Sequence, residues 1–395
     1  MTVKSMSATG RDRLAEGALS ADMVAAAKLV SRTASAGADA QDHDDGFPSD
    51  DVANLARASL LVGPVPRRHG GHGLGEEPGA ANLREVLRII GYGSLALGRV
   101  YEGHVNALQL IARFGSPAQQ ERLFADAGRG HLFGVWNTEP AVGGLTLEMR
   151  TDGYLLHGSK CFASGAGHVT RALVTARTAT GELPSPPWML VVDLEPGTRA
   201  DLSAWRAHGM RASATGTVDF TGMTVPANVI LGKQNDYHRQ PHFSGGAWRF
   251  LAVQLGGIEA VFDACRAHLR TVARGEDPYQ LARIGEAAMA VETARLWIGE
   301  AASLASGSSA DAERVVAYVN LARLAVERAG LEVLERAQRS VGLQGFLRGH
   351  PLERLARDLA TYLRQPAPDR ALTSAARYAL EAEGTASEIF QGVNS

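Results

Sequence analysis

Apolar residues recur every three or four positions in the first and last thirds of the chain. This spacing is kept by Leu83, Val86, Leu87 and Ile90, and again by Val315, Val319, Ala322 and Val326. A repeat of about 3.6 residues places apolar side chains on one face of a helix. Ser116-Pro117 adds a helix start, because serine is a favoured N-cap and proline a favoured first helical residue. We therefore predict helical domains over residues 1–130 and 236–395.

The middle of the chain, residues 131–235, has a different pattern. Short runs rich in apolar and β-branched residues, at 172–176, 188–193 and 216–220, are separated by glycine, proline and aspartate. Short runs bounded in this way are typical of strands. We predict a small antiparallel β-barrel or sandwich here. The chain is then an α+β protein with an N-terminal helical domain, a middle β domain and a C-terminal helical bundle.

Composition and charge narrow the range of partners. The 395 residues carry a formal net charge of −2, which gives no reason to expect nucleic acid or an anionic membrane as a partner. No apolar run approaches the roughly 20 residues that a membrane span requires, and the N-terminal residues lack the apolar segment of a secretory signal. Cys161 and Cys265 form no metal or redox spacing. We therefore expect a cytoplasmic protein.

The most informative segment runs from Phe133 to Gly167 and contains two short polar turns beside aromatic residues. The first turn, 136–140, reads Trp-Asn-Thr-Glu-Pro, and the second, 161–165, reads Cys-Phe-Ala-Ser-Gly. Between them, Asp152-Gly153 is a dipeptide favoured in two-residue hairpin loops, so the two turns should meet in space. Hydroxyls, an amide and backbone N–H groups beside aromatic rings suit a flat heteroaromatic ligand such as a flavin.

The motifs of this segment resemble the flavin-binding middle region of the acyl-CoA dehydrogenase family. They are the run into Thr138-Glu139-Pro140, the pair Gly143-Gly144, and the pattern G-Y-x-L-x-G-x-K-x-F-x-S-G over residues 153–165. The likeness continues at 209–216, 225–229, 342–346 and 357–358, and so covers most of the chain. It implies an N-terminal helical domain, a middle β domain and a C-terminal four-helix bundle, with FAD held between the last two.

The resemblance also implies roles for four residues. Asn137 and Thr138 are expected to bond the edge of the isoalloxazine ring, Phe162 to lie against the ring, and Ser164 to reach the ring side or the phosphate. The backbone near Gly143 and Gly144 would border a ligand pyrophosphate or acyl-thioester channel. From the residue types alone, ordinary turn capping by Asn137, Thr138 and Ser164 is the alternative.

The catalytic base of an acyl-CoA dehydrogenase is a glutamate that removes the α-proton while hydride leaves to the flavin. In the family this glutamate commonly follows the Arg-Asp pair by about eight residues, where this chain has Pro366. The other family position is early in the helix after the β domain, and residues 245–250 hold no carboxylate. Asp369 is the one nearby candidate for a shifted base. The alternative for Asp369 is to cap the following helix.

Other segments depart from the family or invite a second interpretation. An Arg-x-x-Phe-Gly stretch that grips a neighbouring subunit's flavin in relatives is missing from 274–283, and Arg339 stands where the family usually has glutamine. The run 69–73, His-Gly-Gly-His-Gly, lacks the lysine of a phosphate loop and a third metal ligand, so we predict a structural turn. The polar segment 236–242 is predicted to be a solvated linker or to line the substrate site.

Three functions therefore remain open. The first is an FAD-dependent oxidoreductase that acts on an acyl thioester or related carbonyl substrate with an atypical or absent base. The second is a two-component flavin-dependent monooxygenase on the same fold, and the third is a flavin-free, non-catalytic relative. The expected partners are a small-molecule substrate, for which acyl-CoA is one candidate, and either an electron-acceptor flavoprotein or a flavin reductase. The alanine-rich C-terminal helices and the family likeness predict a homodimer or homotetramer.

Overall fold

The computed structural model of the protein describes residues 8–76, 80–178, 185–307, 311–386 and 388–390, with side chains from residue 22 onward. Helices fill both ends of the chain. Their bounds are α1 Ala8–Gln41, α2 Ser49–Arg57, α3 Ala80–Gly93, α4 Leu95–Phe114, α5 Pro117–Gly128, α6 His242–Gly245, α7 Trp248–Thr271, α8 Pro278–Ser306, α9 Ala312–Val341, α10 Pro351–Tyr362 and α11 Pro368–Glu381.

The described strands all lie between the two helical parts. Their bounds are β1 Phe133–Trp136, β2 Thr146–Arg150, β3 Gly153–His157, β4 Ser159–Ala163, β5 Arg171–Thr178, β6 Trp188–Asp193, β7 Ala200–Asp201, β8 Gly216–Asp219, β9 Met223–Pro226 and β10 Ile230–Leu231. The helix–sheet–helix order predicted from the sequence is thus confirmed.

The strands form two sheets rather than one continuous antiparallel barrel. The larger sheet has the order β10-β6-β5-β2-β3-β9, with β1 also paired to β5, and the smaller has the order β4-β8-β7. Most neighbours are antiparallel, but β1 and β2 both pair with β5 in parallel. The prediction of antiparallel strands therefore holds for most pairs but not for these two. Parallel pairing joins strands that are distant in sequence, so no local turn signal in the sequence marks it.

The helical predictions agree with the structure in detail. Ser116 caps α5 with a capping box, in which its side chain accepts from the Gln119 backbone and the Gln119 side chain accepts from the Ser116 backbone. The four α9 residues with helical spacing, from Val315 to Val326, are all buried. Of the predicted strands, 188–193 matches β6, and 172–176 lies inside β5. No helix in the described residues is long and apolar enough to span a lipid bilayer.

The N-terminal helices and the C-terminal bundle are packed backbone to backbone through α3 and α7. A Cβ atom added at Gly91 of α3 would lie 2.3 Å from the Val253 carbonyl oxygen of α7. One added at Gly256 of α7 would lie 2.0 Å from the Arg88 carbonyl oxygen. Only glycine permits this approach at either position. The close contact fixes the two helical parts around the β domain and shapes the space between them.

A buried histidine joins α4 to the start of β1. The Nε2 atom of His104 lies 2.7 Å from the Leu61 carbonyl oxygen, and its Nδ1 atom accepts from the Phe133 backbone N–H at 3.1 Å. These partners require a neutral ring with the proton on Nε2. Burial lowers the pKa of His104 from 6.5 to about 4, so the folded protein disfavours the charged ring.

We predict that His104→Leu lowers the free energy of unfolding at pH 7 by about 3 kcal/mol, because a buried donor and a buried acceptor lose their partner. The wild-type contribution is complete above pH 6.5 and falls as the pH drops toward 4, since the unfolded chain binds the extra proton first. Urea unfolding should therefore show that the difference in free energy of unfolding between wild type and variant is smaller at pH 5 than at pH 7, by about 2 kcal/mol. An equal difference at both pH values would contradict this assignment.

Candidate active site

The first polar turn occupies a gap along one edge of β5. At residues 171–174 this edge pairs with β1, and at 177–178 it pairs with β2. The chain between β1 and β2 leaves the sheet here, which lets the side chain of Thr175 project toward the turn. Its hydroxyl donates to Asn137 Oδ1 at 2.7 Å. The sheet topology thus exposes the segment from Asn137 to Glu139 at the end of β1.

A buried lysine fixes this turn to β4. Lys160 is fully buried, and its ammonium group donates to Asn137 O at 3.2 Å, Glu139 Oε1 at 2.9 Å and Thr175 Oγ1 at 3.0 Å. Burial lowers the pKa of Lys160, and the Glu139 carboxylate opposes that shift. Three acceptors satisfy all three ammonium protons. The Lys160 ammonium group therefore holds the turn in one conformation, because all three of its hydrogen bonds are made to this turn and to Thr175 beside it.

The two polar turns meet, as the sequence predicted. The Cys161 backbone N–H donates to Thr138 O at 3.0 Å, and the Trp136 indole N–H donates to Ser164 O at 3.0 Å. The hairpin between them does form, but Arg150 pairs with Gly153, so the loop residues are Thr151 and Asp152. The loop thus lies one residue earlier than Asp152-Gly153, and the positive φ belongs to Gly153 alone.

The ring of Phe162 is turned out of β4 by a bulge. The register between β4 and β8 shifts between Lys160 and Ala163, and Phe162 has a φ of 52°. Its side chain is 65% exposed and contacts Trp205 edge to face, with ring centroids 6.4 Å apart. A bulky residue in the left-handed region costs about 1–3 kcal/mol, and bulges often re-aim side chains at functional sites. An exposed, strained aromatic ring is a suitable platform for a flat ligand.

Ser164 is connected to the N-terminal helices through a chain of polar groups. Its hydroxyl accepts from Arg99 Nε at 3.3 Å and from the Thr215 hydroxyl at 3.2 Å. Arg99 also pairs with the buried carboxylate of Glu102 at 2.5 Å, and the Glu102 carboxylate accepts from Asn106. Asn106 in turn accepts from Arg249 Nε. The second polar turn is thus linked to α7 through polar side chains of α4.

A cavity of about 970 Å³ lies between the β domain, α4 and the C-terminal helices. Asn137 and Thr138 line it, whereas Phe162 and Ser164 do not. The segment 236–242 contributes Tyr237, His238, Gln240 and His242 to its wall. Burial raises the pKa of Tyr237 to about 12, and it lowers the pKa values of both histidines. Of the two interpretations of this segment, the structure favours lining the cavity.

Both family positions of the catalytic glutamate reach this cavity without a carboxylate. The commoner position contributes Gln365, Pro366 and Ala367, and the alternative position contributes Gly246, Ala247 and Arg249. The only acidic side chains that line the described cavity are Glu102 and Glu139. Glu102 is paired with Arg99, and Glu139 is paired with Lys160. Neither carboxylate is free to act as a base without breaking an ion pair.

The structure places Asp369, the predicted shifted base, outside the lining of the cavity. It is exposed in the first turn of α11 and is not among the residues that line the cavity. Nor does it cap the helix. The cap position falls on Ala367, whose φ is 54°, because Pro368 begins the helical backbone. The suggestion of Asp369 as a shifted base is therefore not supported by its position.

Other predicted features lie away from this cavity. Residues 67–69 form a single 3-10 turn ahead of Gly70, and no group of metal-ligating side chains occurs within the described residues. Gly143 borders a second cavity of about 570 Å³ on the β domain. Arg339 pairs with Glu335 one helical turn away, at 3.1 Å. The run from His69 to Gly73 is thus the structural turn that was predicted.

The sequence interpretation missed the polar residues of α4. Arg99, Glu102 and Asn106 are spaced by three and four, so they share one face of a helix that is otherwise mainly apolar. Glu102 is 2% exposed, which is rare for a carboxylate unless it is paired. A charged stripe on an apolar helix is the signal that could have found this group. It was not recognised because the covering elements come from distant parts of the chain.

Comparison with known proteins establishes the family. The chain matches the models of the acyl-CoA dehydrogenase N-terminal domain over residues 22–131 and of the acyl-CoA dehydrogenase C-terminal domain over residues 240–363. These matches, together with the fold and the paired turns, define a class of oxidoreductase. The chain belongs to the acyl-CoA dehydrogenase family, as its motifs indicated.

Relatives within the family have two kinds of activity. A dibenzothiophene monooxygenase from Mycolicibacterium goodii is 25% identical, over 82% of this chain and 85% of that protein. A short-chain specific acyl-CoA dehydrogenase from Clostridium acetobutylicum is 24% identical, over 80% and 86%. The crystal structure of FMN-bound TdsC from Paenibacillus sp. A11-2 has a TM-score of 0.80 and 20% identity, and covers 93% of this chain and 100% of that one. This last likeness shows the fold.

We predict that Lys160→Met lowers the free energy of unfolding by about 2–3 kcal/mol, a value reduced from that of a fully buried pair because Glu139 is partly exposed. It should also weaken flavin binding at least tenfold, because the turn carrying Asn137 and Thr138 loses its anchor. Urea unfolding and flavin fluorescence titration measure the two effects. Lys233→Met, at an exposed lysine, is the matched control and should change neither.

Proposed function

We propose that this protein is the oxygenase component of a two-component flavin-dependent monooxygenase that acts on a small organic molecule. The observation that supports this activity over dehydrogenation is that the described cavity has no carboxylate free of an ion pair. Pro366 and the 246–249 segment occupy the two family positions of the base, and Glu102 and Glu139 are already ion-paired. Dehydrogenation of an acyl thioester needs a free carboxylate at the α-carbon. Oxygenation by reduced flavin does not.

The flavin is proposed to lie at the paired turns. Asn137 and Thr138 offer an amide, a hydroxyl and backbone groups to a ring edge, Ser164 offers a hydroxyl, and Phe162 offers an exposed ring for stacking. A cavity of about 970 Å³ can hold a flavin ring with a small substrate beside it. Asn137 and Thr138 line this cavity, whereas Ser164 and Phe162 lie outside its lining on the turn that meets theirs, so the flavin is proposed to extend from the cavity onto the second turn. The four residues fit the group in this arrangement. When bound, reduced flavin supplies the two electrons with which one atom of O₂ enters the substrate and the other leaves as water.

Reducing equivalents must come from a separate reductase in this proposal, because no glycine-rich turn after a first strand offers a nicotinamide site. The residues around the cavity would then orient the substrate and keep bulk water away from the flavin. Tyr237, Phe243 and Phe250 supply apolar surface for both tasks. FAD remains the cofactor predicted from the sequence, and a homo-oligomer remains the predicted assembly. The ring contacts named above serve FAD and FMN equally.

We predict that Phe162→Ala weakens flavin binding about three- to tenfold, since loss of an aromatic stacking contact costs about 0.5–1.5 kcal/mol. Titrations with FAD and FMN, followed by flavin fluorescence, measure the change and show which cofactor is preferred. Met149→Ala is the control, because Met149 is also an exposed apolar residue of the β domain and lies outside the cavity. Equal affinity of wild type and Phe162→Ala would remove Phe162 from the proposed flavin site.

The proposed activity is tested by supplying electrons and labelled oxygen together. The protein is incubated with flavin, NADH, an added flavin reductase and ¹⁸O₂, with a panel of small aromatic and heteroaromatic compounds, and products are analysed by mass spectrometry. We expect a product containing one ¹⁸O atom that requires both the reductase and the protein. Conversion of acyl-CoA to enoyl-CoA without reductase, and no labelled product, would overturn the proposal in favour of dehydrogenation.

A further inference from the structure

Arg249 faces the cavity with the end of its guanidinium group unpaired. It lies in the first turn of α7, and its Nε atom donates to Asn106 Oδ1. The side chain is partly exposed and lines the cavity, and its guanidinium carbon lies 5.8 Å from the centre of the Trp248 ring. Its two terminal nitrogens make no hydrogen bond to any described residue. A charged pair of donors that faces a cavity and has no protein partner is available to a ligand.

The nearest carboxylate does not neutralise Arg249. Glu102 uses one oxygen to accept from Arg99 Nη1 and the other to accept from Asn106 Nδ2. No carboxylate of the described residues forms a salt bridge with Arg249, although the nearby Glu102 charge favours its charged form. Burial lowers the pKa of Arg249 to about 10, which leaves the guanidinium charged at neutral pH. Arg249 therefore brings to the cavity wall a positive charge that has no salt-bridge partner among the described residues.

Three further arginines, contributed by other elements, line the same cavity. Arg323 lines the cavity, donates to the Pro366 carbonyl oxygen at 2.7 Å and leaves its buried Nε atom without a partner. Arg177 and Arg370 also line the cavity, and neither forms an ion pair with a carboxylate of the described residues. The acidic side chains of the wall are both engaged elsewhere. A neutral or cationic occupant would leave all of these charges unbalanced.

We propose that the substrate of this cavity carries a carboxylate, and that Arg249 is the residue that selects it. This inference rests on the proposed function, because it takes the cavity to be the substrate site beside the flavin. Asn106 holds Nε, so Nη1 and Nη2 are the donors left for the ligand. A planar carboxylate matches two parallel N–H donors, whereas a lysine ammonium offers only a point charge. Such bidentate contacts fix orientation as well as affinity.

The orientation of the Arg249 side chain is set by a series of hydrogen bonds that runs along α4. Arg249 is positioned by Asn106, Asn106 by Glu102, and Glu102 by Arg99, which donates to Ser164 in the second polar turn. The position of a substrate bound to Arg249 is thereby fixed relative to the turn that we assign to the flavin. The flavin phosphate is the other anion that could use an arginine here. The experiment must therefore distinguish a carboxylate substrate from the cofactor.

Benzoate and benzamide provide matched probes, because they share shape and differ in charge. Isothermal titration calorimetry with the flavin-loaded protein should show benzoate binding at least tenfold more tightly than benzamide. Arg249→Met should reduce this preference to within about twofold, and Arg249→Lys should retain only part of it. Arg266→Met is the control on the same helix, where Arg266 is paired with Asp263 at 2.6 Å outside the cavity. It should keep the full preference.

Several outcomes would overturn the inference. One is equal binding of benzoate and benzamide to wild type, and another is an undiminished preference in both Arg249→Met and Arg249→Lys. The cofactor alternative is tested by FMN against riboflavin. If Arg249→Met removes the preference for FMN but not the preference for benzoate, the arginine binds the cofactor phosphate and the inference is wrong.

The result also separates this inference from the proposed function. If labelled oxygen enters a product but benzoate is not preferred, only the carboxylate assignment fails. If benzoate is preferred through Arg249 but no flavin binds and no oxygen is transferred, the anion site stands and the proposed monooxygenase activity fails. Thermal unfolding of each variant shows whether a lost preference reflects a lost fold.

Discussion

The site depends on one buried ammonium group. Lys160 sits in β4 and holds the turn that leaves the sheet between β1 and β2, so two segments more than twenty residues apart act as one surface. The gap along β5 creates the turn, and the lysine gives it a fixed shape. A buried lysine is expensive unless its three protons are satisfied. Here the groups that satisfy it are those that present Asn137 and Thr138 to the cavity.

Ion pairing also determines which chemistry the cavity can support. Each acidic side chain of the wall is committed to a cation, Glu139 to Lys160 and Glu102 to Arg99, while Arg249 and Arg323 are not committed to an anion. A dehydrogenase of this family needs the reverse, a free carboxylate beside the substrate. The fold is therefore shared with acyl-CoA dehydrogenases, whereas the charge distribution favours an anionic substrate and chemistry without a protein base.

Local features of this site were predictable from the sequence, and features that depend on distant contacts were not. The paired turns, the lost glutamate at Pro366 and the capped start of α5 are each carried by neighbouring residues, and the structure agrees with them. The parallel pairing of β1 with β5 joins segments that are far apart, and no period or turn residue marks it. The role of Glu102 required knowledge of what covers α4. Asp369 remains a predicted site residue, and its place in the first turn of α11 depends on how two prolines direct the chain into that helix.

The central claim is that the proposed flavin site has, among the described residues, no free carboxylate to remove the α-proton of an acyl thioester. Its most direct test is an anaerobic half-reaction, in which flavin-loaded protein is mixed with acyl-CoAs from butyryl-CoA to palmitoyl-CoA and the oxidised-flavin absorbance is followed. The account predicts that the absorbance does not change with any acyl-CoA, and that NADH with a flavin reductase bleaches it in the same cuvette. Rapid bleaching by any acyl-CoA alone would contradict the account.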